Sequence, residues 1–104
     1  MRKKAGLVGL GLILIATLAA APAPKVSGPE LAQRLRCWAC HSLEGRGSRK
    51  SVPLDHIGAR LTPEQLEIAL KHLRSRRPRG KMPSYDYLRP WEMQTLVKYL
   101  ETLK

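Results

Sequence analysis

Hydrophobic residues fall along this chain in two kinds of stretch, and each predicts a different element. One is an unbroken run, Ala5 to Ala23, that follows Arg2, Lys3 and Lys4 and contains no charge. The other is periodic. Leu66, Ile68, Ala69, Leu70 and Leu73 form one apolar helix face, and Met93, Leu96, Val97, Leu100 and Leu103 form a second. The periodic stretches carry start signals. Thr62-Pro63-Glu64-Gln65 has the form of a capping box with proline in its first turn, and Pro90 precedes Glu92 at the head of the last helix. A further helix is predicted from Pro29, capped by Ser27 or Gly28, running through Leu31 and Leu35 into Cys37 and Cys40. Ser42 to Gly58, with its glycines, charges and Pro53, reads as an irregular loop, and Pro83-Ser84 opens another. No β pattern and no repeat is present. The expectation is an all-α domain of three to four short helices joined by long loops. Loops of that length are out of keeping with a bare bundle and suit a chain that wraps something.

The N-terminal run divides the chain. A basic start, an apolar stretch and a small-residue exit at Ala21-Pro22-Ala23-Pro24 are the parts of a secretory signal peptide. At 19 residues, Ala5 to Ala23 also approaches the roughly 20 that cross a bilayer, so a retained anchor is the competing reading. Either way the basic cluster keeps the N-terminus inside and the remainder is exported, to the periplasm or the outer face of the cytoplasmic membrane. The expected organisation is 1–23 as signal peptide or anchor, 24–28 as linker and 29–104 as the folded domain. That domain is small, and the chain has no Phe, so a large apolar cofactor would supply core that the side chains do not. Without Arg2, Lys3 and Lys4, sixteen of the nineteen basic residues remain against eight acidic ones. Such a surplus favours fast, salt-sensitive encounter with acidic surfaces. Export argues against nucleic acid as the partner.

Two cysteines in an exported chain ordinarily read as a disulfide. Here they form Cys37-Trp38-Ala39-Cys40-His41, the C-x-x-C-H pattern of covalent haem attachment. Cysteines at i and i+3 lie on one helical face, where each can form a thioether with a haem vinyl group, and His41 falls on the same side. A redox-active C-x-x-C would want a βαβ setting, and zinc would want more ligands than this pair offers. Neither is evident.

With these residues in view, the sequence resembles the class I, mono-haem cytochrome c family over residues 27–104. The resemblance rests on C-W-A-C-H at 37–41, Pro53-Leu54 in the next loop, Lys81-Met82-Pro83 downstream, and a last helix ending Leu96-Val97-Lys98-Tyr99-Leu100. It implies one covalent haem c, with iron held by His41 and Met82, and a small fold of short helices and wrapping loops. His/Met ligation raises the reduction potential and fills both axial positions. The resemblance also implies that the Pro53 carbonyl accepts a hydrogen bond from the other ring nitrogen of His41. Met93 belongs to a helical stripe and reads as core. His56 and His72 read as solvated. Arg60, Tyr85, Tyr87 and Trp91 are candidates to meet the haem propionates, with packing as the alternative for each.

Two positions depart from the family. Gln33 stands where an aromatic usually packs on the last helix, which shifts that contact to Leu31 or Leu35 against Tyr99. Arg89 stands where a Ser, Thr or Asp cap is usual, which weakens the start of the last helix. The basic run Lys71 to Lys81 precedes Met82 and is a candidate docking patch for an acidic redox protein such as a terminal oxidase or reductase. The function implied is single-electron transfer between redox proteins, with no small-molecule substrate and no enzymatic step. A membrane-anchored haem subunit of a respiratory or oxidising complex is the runner-up. A haem enzyme or gas sensor, and a basic binder of anionic polymers or lipids, stand further off.

Overall fold

The computed structural model describes residues 26–76 and 79–104. The N-terminal run 1–23, and Arg77 within the basic stretch, lie outside the described residues. Four α-helices are present among them: α1 (Gly28–Arg34), α2 (Ile57–Arg60), α3 (Pro63–Arg76) and α4 (Pro90–Glu101). None is long and apolar enough to cross a membrane.

Helices α1, α3 and α4 begin where the sequence supplies a side-chain partner for a terminal N–H group. At α1 the Ser27 hydroxyl accepts from the Glu30 N–H at 3.2 Å. At α3 the expected capping box forms reciprocally. Gln65 N–H donates to Thr62 Oγ1 at 3.1 Å, and Thr62 N–H donates to Gln65 Oε1 at 2.9 Å. At α4 the weakness expected from Arg89 is offset three residues on, because the Glu92 carboxylate accepts from the Arg89 N–H at 2.9 Å.

The predicted stripes face inward. Leu66 and Leu70 of α3, and Met93, Leu96, Val97 and Leu100 of α4, are buried together with Ala32 of α1 and with Leu54, Ile57 and Tyr85 from the connecting segments. Leu96 is fully buried, whereas Ile68 is exposed, off the packed face of α3. Helices α1 and α4 cross at Gly28. A Cβ there would overlap Tyr99 Cβ and stand 2.8 Å from its Cγ, so only glycine allows this approach. On α4 it is Tyr99 that meets the bare backbone at Gly28.

Three features depart from the expected helices and loops. Helix α1 does not run into the cysteines. It stops at Leu35, and Arg36 takes a left-handed conformation, φ 64°, before a separate 3₁₀ turn at Cys37–Ala39. A left-handed residue after the cap is a common helix terminator, but glycine normally fills it. The loop after His41 contains a hairpin, β1 (Ser42–Leu43) antiparallel to β2 (Arg46–Gly47), with Ser42 opposite Gly47. Its two-residue turn, Glu44-Gly45, has φ of 51° and 80°, the left-handed pair that closes a tight hairpin. Finally, Ile57–Arg60 forms the short α2, which brings Gly58 against the C-terminal end of α4, with its N–H on the Leu103 carbonyl at 2.7 Å.

Candidate haem-attachment site

The 3₁₀ turn brings the motif residues together. His41 N–H and Cys40 N–H both donate to the Cys37 carbonyl, at 2.9 and 3.2 Å, so the chain closes on itself between the two cysteines. In a 3₁₀ turn, residues three apart nearly eclipse, which keeps Cys37 and Cys40 on one side as a continuous helix would have done. Both thiols are unbridged and half-buried.

The loop that follows wraps the motif's own backbone. Ser48 N–H donates to the carbonyls of Trp38 and His41, and Ser51 N–H donates to Cys40 at 2.8 Å. Gly47, at φ 101°, lets this strand lie against the His41 carbonyl. The hairpin tip is held in turn by Asp55, whose carboxylate accepts from Glu44 N–H at 2.8 Å.

The His41 ring is oriented by this loop. Its Nδ1 lies 2.7 Å from the Val52 carbonyl. A carbonyl only accepts, so Nδ1 carries the proton and donates, and Nε2 keeps its lone pair for a metal. The acceptor is Val52 and not Pro53, one residue away from the family expectation. The register explains the difference. Leu54 N–H donates to the Ser42 carbonyl at 2.9 Å, and alternate residues of an extended segment present their backbone polar groups to the same side. Val52 and Leu54 therefore address residues 41–42, and the Pro53 carbonyl between them does not. Proline still shapes the bond. It biases Val52 to an extended conformation and leaves the Val52–Pro53 peptide with an acceptor and no N–H.

Met82 is half-buried and packs against the same hydrophobic cluster as Cys37 and Trp38. Met93 is buried within that cluster, in keeping with a core role. The segment carrying Met82 is tied back to α3: Ser84 Oγ donates to the Lys71 carbonyl at 2.6 Å, and Tyr85 N–H donates to Leu70 at 2.8 Å. Tyr85 is buried, and its hydroxyl donates to the Leu35 carbonyl at 3.1 Å, just before the motif. Of the four candidates for propionate contacts, Tyr85 thus has its proton committed, Trp91 is half-buried, and Arg60 and Tyr87 are exposed. His56 is exposed but partnered, with Nδ1 3.0 Å from the Lys104 carbonyl.

Electrostatics separates attachment from thiol redox chemistry. Burial pushes the Cys37 thiol up, and the hydrogen bond it receives from its own backbone only partly offsets this. A disulfide-exchanging C-x-x-C needs a depressed thiol at its first cysteine, so this pair is poorly built for that work. Among the described residues there is also no cluster of three or more His, Cys, Asp or Glu side chains able to hold a metal ion. In the basic run, Lys71 is paired with Glu67 at 2.7 Å, while Arg79 and Lys81 are exposed.

Helices closing over a Cys-x-x-Cys-His turn, with the histidine set to leave Nε2 free, define a class of domain built to carry covalent haem. The chain matches the family model described as Cytochrome c over residues 26–104, and it belongs to that family. No individual curated protein and no solved structure matches it. The cofactor is haem c, covalently bound and with iron at its centre, and the family's chemistry is electron transfer. The residues of the turn suit that group: two unbridged thiols share one side of it beside an imidazole with a fixed tautomer.

Proposed function

We propose that this protein is an exported mono-haem cytochrome that carries single electrons between redox proteins outside the cytoplasmic membrane. Cys37 and Cys40 would form the thioethers to the haem, and His41 Nε2 and the Met82 sulfur would hold its iron. Bound there, haem supplies a one-electron iron couple whose reduced state is favoured by a neutral thioether ligand. The chain's own part is to hold the ligands, keep the His41 tautomer through Val52, and present a cationic surface to partners. The carrying observation is the 2.7 Å contact between His41 Nδ1 and the Val52 carbonyl, which commits one ring nitrogen and spares the other. Pro53 enters the site through the Val52–Pro53 peptide that makes this acceptor.

The partners proposed are acidic redox proteins such as a terminal oxidase or reductase, met through the Lys71 to Lys81 stretch. Its exposed members Arg79 and Lys81 directly precede Met82. A second reading, favoured by the uncharged Ala5 to Ala23 run, is a membrane-anchored haem subunit of a respiratory or oxidising complex. N-terminal sequencing of the exported protein separates the two: a start at residue 22 or 24 means a free carrier, and a retained Met1 means an anchor.

The deciding experiment is an oxidised and reduced visible spectrum of the protein, with a pyridine haemochrome assay. The expected result is covalent haem c, low-spin in both states, with the weak far-red band of methionine bound to ferric iron. Covalent haem without that band would remove Met82 from the iron. No haem, after co-expression with the attachment machinery, would remove the assignment of 37–41 altogether.

A further inference from the structure

Beyond the end of α3 at Arg76 the chain comes back against that helix at Ser84 and Tyr85. The loop is closed by two bonds at its base, Ser84 Oγ to the Lys71 carbonyl and Tyr85 N–H to the Leu70 carbonyl. Met82 sits two residues before that closure. From the closure point the buried Tyr85 side chain reaches the opposite wall, where its hydroxyl donates to the Leu35 carbonyl two residues before Cys37. The Tyr85 ring belongs to the hydrophobic cluster against which both Cys37 and Met82 pack, and the exposed Tyr87 ring lies 6.2 Å from it, centroid to centroid. A Leu or Phe at 85 could fill the same space. Neither would supply a hydrogen bond from the Met82 side to the His41 side.

We infer that Tyr85 is a positioning residue for axial ligation: its hydroxyl clamps the Met82 segment to the segment entering the Cys37–His41 turn, and so sets how often the methionine lets go. The inference rests on the reading of Met82 as ligand and deepens it. A competing ligand can bind only in the fraction of molecules in which Met82 has left, so its apparent affinity reports that fraction directly. Losing one neutral hydrogen bond of ordinary strength raises the open fraction about two- to tenfold.

The test titrates imidazole into the oxidised holoprotein and follows the Soret and far-red bands. Tyr85→Phe keeps the ring and removes the bond, and it is expected to bind imidazole about two- to tenfold more tightly than the parent. Ser84→Ala cuts the other side-chain tie of the same loop and is expected to shift affinity in the same direction. Thr102→Ala removes a bond of similar kind, Thr102 Oγ1 to the Tyr99 carbonyl at 2.6 Å, from the end of α4. It is expected to leave imidazole affinity unchanged whatever it does to overall stability.

Equal imidazole affinity in Tyr85→Phe and the parent, with the far-red band present in both, overturns the clamp. So does an equal tightening in Thr102→Ala, which would make the effect one of general stability. If Tyr85→Phe yields no holoprotein, unchanged affinity in Ser84→Ala overturns it instead. Failure of the underlying reading looks different, because the parent itself would then lack the far-red band, and the inference falls with it.

Discussion

Substituting Gly28 by alanine tests whether the crossing of α1 and α4 rests on a missing side chain. A methyl group at this position would overlap Tyr99 Cβ, stand 2.8 Å from Tyr99 Cγ and reach 3.4 Å from the Thr95 carbonyl. None of these atoms is the far end of a flexible side chain. Tyr99 Cβ is fixed by the α4 backbone, so turning the ring does not relieve the overlap and one helix must move. Overpacking of this kind costs about 1–3 kcal/mol, and the rigidity of the obstacle places Gly28→Ala in the upper half of that range. Alanine returns at most about 1 kcal/mol of helix propensity in a helix interior, and less at the first residue of α1. The net loss is about 1.5–2.5 kcal/mol. For a domain of this size each kcal/mol lowers Tm by about 4–8 °C, giving a fall of roughly 6–20 °C.

The assay is thermal unfolding of the holoprotein by circular dichroism at 222 nm, with Gly45 as the contrast. At Gly45 a Cβ meets nothing, but φ is +80°. Gly45→Ala should therefore lose about 1–2 kcal/mol from the left-handed backbone alone, and Gly45→Asn should recover most of it. No residue should rescue position 28, since space and not backbone angle is limiting there. A Tm for Gly28→Ala equal to or above the parent's would refute the steric argument. So would a recovery in Gly28→Ser.

Other substitutions test other links. Thr62→Ala should cost about 1 kcal/mol in urea unfolding by opening the α3 capping box, while Thr62→Ser should be close to neutral. Tyr85 is held up to about 12, chiefly by burial and then by the charges that Cys37, Tyr87 and Cys40 would carry. The folded state thus favours the protonated phenol, and the stability it contributes is full below pH 10 and fades as pH rises through about 12. Thioether-linked cysteines carry no charge, so absorbance titration at 295 nm should find Tyr85 lower in the holoprotein than in the apoprotein; a Tyr85 that titrates no lower in the holoprotein would contradict this. Replacing Arg79 and Lys81 by Gln should slow reduction of an acidic partner at low ionic strength and leave the rate at high salt almost unchanged. An unchanged rate at low salt would make these residues solubilising only.

The helices were legible because each carries both a stripe and a start. Leu66 and Leu70, then Met93, Leu96 and Leu100, recur at helical spacing, and burial follows that spacing. What escaped the sequence depends on single backbone angles or on one-residue registers. Two-residue strands are too short to show alternation, and the only local sign of the hairpin is Gly45 in its turn. Arg36 adopts a left-handed angle with no glycine or asparagine to announce it, so the break between α1 and the cysteine turn was hidden. The His41 acceptor was misplaced by one position because the family pattern identifies the proline. Which carbonyl faces the ring is decided by the pairing of Leu54 with Ser42. The close approach of Gly28 to Tyr99 also went unread, because a packing contact made by bare backbone leaves no apolar side chain in the sequence to mark it.

The distribution of burial bears on why a chain without Phe can fold at this length. The fully packed residues cluster where α1, α3 and α4 meet, whereas Leu35, Cys37, Trp38, Leu61, Met82, Leu88, Tyr99 and Leu103 form a half-buried fringe around them. That fringe includes Cys37 and the proposed sulfur ligand Met82, so part of the apolar surface left open adjoins the proposed attachment site. Covering it with a large apolar group gains about 25 cal/mol for each Å² withdrawn from water, or roughly 2.5 kcal/mol per 100 Å². That is a large share of what a domain this small can hold in total. A group attached through Cys37 and Cys40 cannot dissociate on unfolding, so its contribution cannot be diluted away as that of a reversible ligand can. Folding and attachment are then one design problem. The chain folds without Phe because the cofactor supplies part of the core, and the loop around His41 is long because it has the turn, the ring and the hairpin to secure.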